Sequence, residues 1–174
     1  MNIKNIPIII IFLLGFHSSM AQELQKVRDT INHFEIGVPI GWKYGVPKNN
    51  SLAFMALREK VNADDMAENL NINILYRAGT DINTSYRQFL EARAGTNNFE
   101  IIEQKDKVIF DRKYKYLVEN HKNKFNGISV TNVVLFTNSD GKILILTIIS
   151  SSANYEKNKN LFDSIGNSLR YYPN

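Results

Sequence analysis

The sequence contains no cysteine among its 174 residues. Its chemistry therefore excludes thiolate nucleophiles, Cys-ligated zinc sites, iron–sulfur clusters and disulfide frameworks. The nine glycines are dispersed and form no G-x-G-x-x-G or G-x-x-x-x-G-K phosphate-binding run, and no G-x-S-x-G nucleophile elbow occurs. Because no motif indicates a reaction, we predict that the protein is not an enzyme and uses no cofactor.

Neither the charge nor the hydrophobicity of the chain is extreme. Charged residues make up 22% and hydrophobic residues 44% of the sequence, and the formal net charge is +4. This composition and length predict one ordinary globular domain with a packed core. No internal repeat, low-complexity block or linker rich in Pro, Gly and Ser divides the chain. We therefore assign residues 31–174 to a single domain, preceded by a polar lead-in at 22–30.

Residues 1–21 have the pattern of a secretory signal peptide. A single early cation, Lys4, precedes an apolar run over residues 6–16, and the small residues Ser19 and Ala21 suit cleavage after Ala21. The apolar run is shorter than the ~20 residues that a membrane-spanning helix needs, so we expect no transmembrane span after cleavage. An uncleaved membrane anchor is the alternative. We predict an exported, soluble protein of the periplasm or the extracellular space.

Hydrophobic periodicity predicts a strand-rich domain with two helices. The seven predicted strands are 33–38, 51–59, 69–77, 99–104, 108–118, 128–137 and 142–150. An Asp-Gly pair at 140–141 predicts a hairpin between the last two strands. Helical spacing occurs over residues 80–95, with Asn83 or Thr84 as the cap and Gly95 as the stop, and again over 155–172.

Two of these strands determine the expected layers. Residues 51–59 and 142–150 carry apolar side chains at both parities, which predicts burial on both faces of the sheet. One amphipathic helix cannot cover both faces, whereas two helices can. The order of elements and the short connections predict an α+β fold, in which a mainly antiparallel sheet of six to seven strands has a helix on each face as an α/β/α sandwich.

The order of elements also carries a family resemblance. The opening pattern Phe34-x-Ile36-x-x-Pro39-x-x-Trp42, the strand pair before a mid-chain helix, the four strands after it and the closing helix resemble the PsbP/Mog/DcrB-like superfamily. The resemblance covers residues 31–172. It implies a non-catalytic scaffold, because this superfamily includes an extrinsic photosystem subunit, a Ran-binding protein and exported bacterial proteins of unknown role. It brings no catalytic motif.

Positive charge is unevenly distributed along the chain. Residues 105–124 carry seven cations against three carboxylates, and the cations are Lys105, Lys107, Arg112, Lys113, Lys115, Lys122 and Lys124. A hairpin with this excess can contact an anionic partner such as an acidic protein, a polysaccharide or a lipid headgroup surface. The alternative is that lysines on an exposed strand prevent edge-to-edge aggregation. Nucleic acid is not an expected partner, because the chain is predicted to be exported and its net charge is small.

Aromatic residues supply a second candidate surface. Trp42 and Tyr44 lie between glycines in the segment 41–45 and form a recognition surface if they are exposed, although a lone tryptophan can equally fill the edge of a core. Four tyrosines can line an apolar pocket or fill the core, namely Tyr114, Tyr116, Tyr171 and Tyr172. We therefore predict a binding or accessory module whose partner is an unidentified protein or an anionic surface. The alternative is a carrier of a small apolar ligand held between sheet and helix.

Glu119 and His121 form a pair with acid–base potential. They are two residues apart on a predicted strand and so share a face, where a carboxylate can orient an imidazole. A zinc site needs at least three protein ligands, and no H-x-x-x-H or H-x-H spacing supplies the others. We predict no metal site and interpret the pair as part of a solvated strand face, with a hydrolase acting through it as the weaker hypothesis.

Overall fold

The structure, a computed structural model, describes residues 22–48, 52–62, 66–77, 81–96, 98–139 and 141–172. The predicted signal peptide at 1–21 lies outside the described residues. In chain order the strands are β1 (Leu24–Asp29), β2 (Phe34–Pro39), β3 (Lys43–Gly45), β4 (Leu52–Leu57), β5 (Asn69–Tyr76), β6 (Glu100–Ile109), β7 (Arg112–Lys122), β8 (Ser129–Ser139), β9 (Lys142–Ser151) and β10 (Arg170–Tyr171). The helices are α1 (Ile82–Ala94) and α2 (Ser152–Ser168).

A seven-stranded antiparallel sheet forms the centre of the fold, in the order β3-β4-β5-β9-β8-β7-β6. The hairpin predicted at the Asp-Gly pair is confirmed, because Ser139 of β8 pairs with Lys142 of β9. β9 lies in the middle of the sheet, between β5 and β8. This position explains the buried apolar residues at both parities of β9, which are Ile143, Leu144, Ile145 and Leu146.

The two helices cover opposite faces of this sheet. Leu144 of β9 packs in one hydrophobic cluster with Phe162 of α2. The next residue along the strand, Ile145, packs in a second cluster with Tyr86 of α1. Because successive side chains of a strand point to opposite faces, the clusters lie on the two sides of the sheet. The predicted α+β class with a helix on each face is confirmed.

A second, three-stranded sheet in the order β1-β2-β10 covers the same face as α2. β2 is buried along its whole length, and its Phe34 ring meets Phe54 of β4 edge to face with centroids 5.9 Å apart. Ser168, at the end of α2, accepts a hydrogen bond from the backbone N–H of Gly37 at 2.8 Å. The small sheet is thereby fixed to both α2 and the large sheet.

The small sheet corrects two predictions at the ends of the domain. Residues 22–30, expected to be a polar lead-in, contain β1, whose Leu24 and Val27 pack against the core. The second helix was predicted to reach residue 172 but ends at Ser168, because the following residues pair with β2 as a short strand.

Three further strand predictions are wrong in detail. β4 is buried mainly on one face, since Leu57 is 38% exposed. The strand predicted to end at residue 104 continues to Ile109, and the chain reverses at Phe110 and Asp111, whose φ angles are +47° and +65°. β3, only three residues long, was not predicted, because its neighbouring prolines and glycines indicated a loop.

Helix α1 begins and ends at defined caps. Asp81, rather than the predicted Asn83 or Thr84, caps its N-terminus, and its carboxylate accepts hydrogen bonds from both of their backbone N–H groups. Hydrogen bonds from Thr84 hold the pKa of Asp81 below its usual value. Gly95 ends the helix as predicted. Over the described ranges, neither helix is long and apolar enough to cross a bilayer.

Candidate functional site

The predicted aromatic surface and the predicted basic hairpin lie at opposite edges of the large sheet. β3, which carries Tyr44, is one edge strand, and β6 is the other. Six strand spacings separate them, a distance of about 29 Å. Trp42 belongs to the core and is only 5% exposed, whereas Tyr44 is half exposed. The condition for a recognition surface at Trp42, exposure of its ring, is therefore not met.

Strand pairing separates the seven predicted cations by face and by end. Lys105 and Lys107 lie opposite Tyr116 and Tyr114, on the face that α2 covers. Arg112 shares that face, because it is two residues from Tyr114 on the same strand.

The remaining four cations lie elsewhere. Lys113 and Lys115 alternate to the α1 face, where Lys115 contacts Asp106 at 2.7 Å. Lys122 ends β7 and Lys124 follows it, about 30 Å along the strand from Lys113. The run of positive charge in the sequence is therefore not one patch in the fold.

Tyr116 brings two of the predicted cations together. The ammonium groups of Lys105 and Lys107 each lie 5.0 Å from the centroid of its ring. Lys105 also forms an ion pair with Glu103. Burial and the nearby carboxylate of Asp163 raise the pKa of the Tyr116 hydroxyl, so this ring stays neutral beneath its cations. A cation placed over an aromatic face is attracted by the electron-rich ring.

Three arginines continue this arrangement onto the small sheet. The Arg112 guanidinium lies 5.3 Å from the Tyr171 ring centroid, Arg170 lies 3.9 Å from that of Phe110, and Arg28 lies 5.6 Å from that of Tyr172. In the strand register, Glu35 of β2 has Arg28 of β1 on one side and Arg170 of β10 on the other. The surface that we name the basic edge consists of Lys105, Lys107, Arg112, Arg170 and Arg28.

Sequence reasoning missed Arg28 and Arg170. They are far from the hairpin in the chain. β1 and β10 both pair with β2, and Arg170 of β10 contacts Phe110 of the hairpin turn. Neither strand was predicted, since β10 is two residues long and β1 has two apolar residues at a spacing of three. The Arg-Tyr-Tyr run at 170–172 was the available signal, because arginine and tyrosine are enriched at protein interfaces.

Exposed apolar side chains accompany the basic edge at the tip of the β6–β7 hairpin. Phe110, which Arg170 contacts, is 54% exposed, and Tyr172, which Arg28 contacts, is 37% exposed. Val108 is 64% exposed but pairs with Lys113, so in the strand register it lies on the α1 face. Arginine and aromatic residues together are typical of the centres of protein interfaces. The tip therefore combines positive charge with exposed apolar surface.

Glu119 is fully buried, so the interpretation of Glu119 and His121 as a solvated strand face is wrong. Its carboxylate accepts hydrogen bonds from Arg93 of α1 and from the Asn132 side chain, the latter at 2.6 Å. His121 Nδ1 lies 3.2 Å from its other oxygen. The carboxylate thus ties α1 to β7 and β8 from within the fold.

The structure shows the contact between Glu119 and His121 that the hydrolase hypothesis needs. The strand register, however, does not place Ser129, the serine of the neighbouring cleft, on their face of the sheet. His121 lines a surface cleft of about 380 Å³ that also includes Ser129. Ser129 pairs with Lys122, the neighbour of His121 on β7, and so falls on the opposite face in the strand register. Within the part of the chain that the structure describes, no three His, Asp or Glu side chains are grouped as metal ligands.

Comparison with known proteins identifies the fold. No family model and no curated protein matches the sequence. Among solved structures, PsbP (CyanoP) from Synechocystis sp. PCC 6803 matches with a TM-score of 0.60 at 20% identity, covering 91% of this chain and 99% of that chain. LpqN from Mycobacterium tuberculosis, involved in cell envelope biogenesis, matches with a TM-score of 0.63 at 11% identity, covering 86% and 90%. This chain has the PsbP/Mog1/DcrB-like fold.

A third solved structure that matches this chain is a eukaryotic protein. The Ran-binding protein Mog1p from Saccharomyces cerevisiae has a TM-score of 0.59 at 12% identity, covering 86% of this chain and 96% of that chain. The resemblance identified from the sequence is therefore confirmed at the level of the fold. At these identities the PsbP/Mog1/DcrB-like fold is shared, while function is a separate question.

Proposed function

We propose that this protein is an exported, non-enzymatic binding or accessory module that contacts an acidic protein partner through the basic edge. The observation that carries the proposal is the row of cations on aromatic rings, from Lys105 to Arg28, beside the exposed Phe110. A cation resting on a ring has fewer conformations to lose on binding, and its outward N–H groups remain available as donors.

A protein partner fits this surface better than a purely polyanionic one. Phe110 is more than half exposed at the hairpin tip, and a partner must cover its ring to remove this apolar area from water. The cations beside Phe110 then favour carboxylates on the partner and suppress basic competitors. The cations therefore determine which partner is bound, and the Phe110 ring forms the buried centre of the contact.

Export and an accessory role have two further supports. The N-terminal 21 residues have the composition of a signal peptide. Among proteins of the same fold, LpqN is involved in cell envelope biogenesis and Mog1p is a Ran-binding protein. A binding role outside the cytoplasm is consistent with both.

Edge protection is the competing explanation for the lysines. β6 is an edge strand of the large sheet, and lysines on such a strand prevent pairing with another chain. Charge reversal separates the two explanations, because glutamate protects an edge as well as lysine does but repels an acidic partner.

We expect the double variant Lys105→Glu/Lys107→Glu to lose partner binding and to remain monomeric. Two reversed charges within the basic edge place like charges opposite the partner's carboxylates, and we expect at least a tenfold loss of affinity, equivalent to about 1.4 kcal/mol. Co-purification from the envelope fraction, followed by titration of the captured protein, measures the loss. Size-exclusion chromatography reports the oligomeric state.

The matched control is Lys122→Glu/Lys124→Glu, which makes the same change in net charge at the far end of β7. It should retain the partner captured by the parent chain. Equal loss in both variants, or a parent chain that captures no protein at low and moderate salt, contradicts the proposal.

A second candidate function, a carrier of a small apolar ligand, is favoured by a separate observation. An apolar cavity of about 200 Å³ lies between α1 and the large sheet, away from the basic edge.

A further inference from the structure

The cavity beside α1 is lined by one stripe of the helix and by three central strands. The α1 residues that line it are Ser85, Gln88, Phe89 and Ala92, which recur at helical spacing on one side of the helix. The sheet residues that line it are Leu75 of β5, Arg77 directly after β5, Phe136 of β8, and Ile143 and Ile145 of β9. The cavity volume is about 200 Å³.

The inner wall of the cavity is apolar and suits a small ligand. Phe136, Ile143 and Ile145 are buried beneath it, and the Phe89 and Phe136 rings lie 5.8 Å apart. An apolar cavity of about 150 Å³ stays dry and takes up benzene. A cavity slightly larger than that accommodates one aromatic ring with a short substituent.

Three polar side chains, the exposed Arg77, Gln88 and the buried Ser85, also line this cavity. Arg77 is exposed, donates to Gln88 Oε1 at 2.8 Å and makes no ion pair with any described residue. This bond occupies the amide oxygen of Gln88 and leaves its amide nitrogen as a donor. Ser85 is 4% exposed, and its hydroxyl has no hydrogen-bond partner among the described residues.

An unpartnered hydroxyl is unusual inside a helix, where serine commonly bonds the carbonyl one turn earlier. A buried polar group without a partner costs stability, and a ligand that bonds the Ser85 hydroxyl removes this cost. Around this cavity, Arg77 and the amide nitrogen of Gln88 can only donate hydrogen bonds, and the Ser85 hydroxyl can donate or accept one.

We propose that this cavity binds a small apolar carboxylic acid of the size of benzoate. The apolar body lies against Phe89, Phe136 and Ile145, and the carboxylate accepts hydrogen bonds from Arg77, Gln88 and Ser85. A carboxylate accepts without donating and has two oxygens, which matches three donors and one positive charge. The inference is independent of the partner proposed for the basic edge, because the two sites share no residue.

Isothermal titration calorimetry of the purified chain with benzoate tests the site. Benzyl alcohol, which is similar in size but uncharged, is the ligand control. We expect saturable one-to-one binding of benzoate, with weaker binding of benzyl alcohol. Ala92→Phe should abolish binding of both ligands by filling the cavity. Ala94→Phe places the same ring on the same helix outside the cavity and should bind as the parent chain does.

Arg77→Met separates the charge from the cavity. We expect it to weaken benzoate binding by about tenfold or more, the usual size of one lost charged hydrogen bond, and to leave benzyl alcohol unchanged. Circular dichroism verifies that each variant is folded. No saturable benzoate binding to the parent chain, full binding by Ala92→Phe, or equal loss of both ligands in Arg77→Met overturns the proposal.

Discussion

Replacing Arg93 by methionine is expected to lower the free energy of unfolding by about 3 kcal/mol or more. The reason is the environment of Glu119, whose side chain has no exposure to solvent and whose principal charged partner is Arg93. Among the described residues, the variant leaves Asn132 and His121 as the side chains that hold the buried carboxylate. Removal of one member of a buried ion pair is far more costly than removal of both. Urea denaturation followed by circular dichroism measures the change.

Two further variants make the result specific to the buried carboxylate. Arg87→Met removes an arginine from the same helix whose ion pair with Glu91 is exposed on both sides, so its cost should stay below about 0.5 kcal/mol. Adding Glu119→Gln to Arg93→Met removes the buried charge and should recover at least half of the lost stability. A cost for Arg93→Met as small as that for Arg87→Met contradicts the assigned role of Glu119.

Alkaline pH is expected to unfold the protein between about pH 10 and 12. Burial raises the pKa of Tyr114 to about 12, and burial reinforced by the charge of Asp106 raises the pKa of Tyr86 to about 12. A tyrosine in the unfolded chain ionises near pH 10. In this interval the unfolded state therefore binds fewer protons than the folded state, and stability falls as the pH rises.

The expected loss is large in comparison with ordinary domain stabilities. Tyr86 and Tyr114 together contribute about 5 kcal/mol of destabilisation at pH 12, and the raised pKa values of Tyr116 and Tyr155 act in the same direction. A typical domain has only 5–15 kcal/mol in total, by order of magnitude. Absorbance at the tyrosinate band and circular dichroism should change in one cooperative transition.

Tyr114→Phe is the matched variant for this titration. The Tyr114 hydroxyl is buried without a partner among the described residues, so its removal should not destabilise the protein at neutral pH. It should move the alkaline transition to higher pH. An unchanged transition in this variant, or stability that stays constant through pH 12, is incompatible with the tyrosines being buried as described.

The central layers could be predicted because local sequence reflects them directly. β9 is apolar at both parities and lies in the middle of the sheet, and the period change after residue 80 marks α1. β1 and β10 could not be predicted in this way. Their pairing with β2 is a tertiary contact between distant segments, and β10 is too short to show a period.

The candidate site was predictable only in part, for the same physical reason. The excess of cations in residues 105–124 is visible in the sequence, but the face on which each cation lies depends on the turn at Phe110 and Asp111, which fixes the register. Burial of Glu119 depends on Arg93, a residue of α1 that is 26 positions away in sequence. Local patterns contain no information about such a contact.

Site-specific photocrosslinking tests the proposed partner surface most directly. Benzoylphenylalanine at Phe110 places the reactive group beside the basic edge, and the same residue at Phe125, which is 87% exposed near the far end of β7, serves as the control. We predict that the Phe110 probe captures a single acidic envelope protein, that Lys105→Glu/Lys107→Glu removes this product, and that the Phe125 probe does not form it. Capture of the same protein from both positions, or an unchanged product in the charge-reversal variant, would contradict the proposed role of the basic edge.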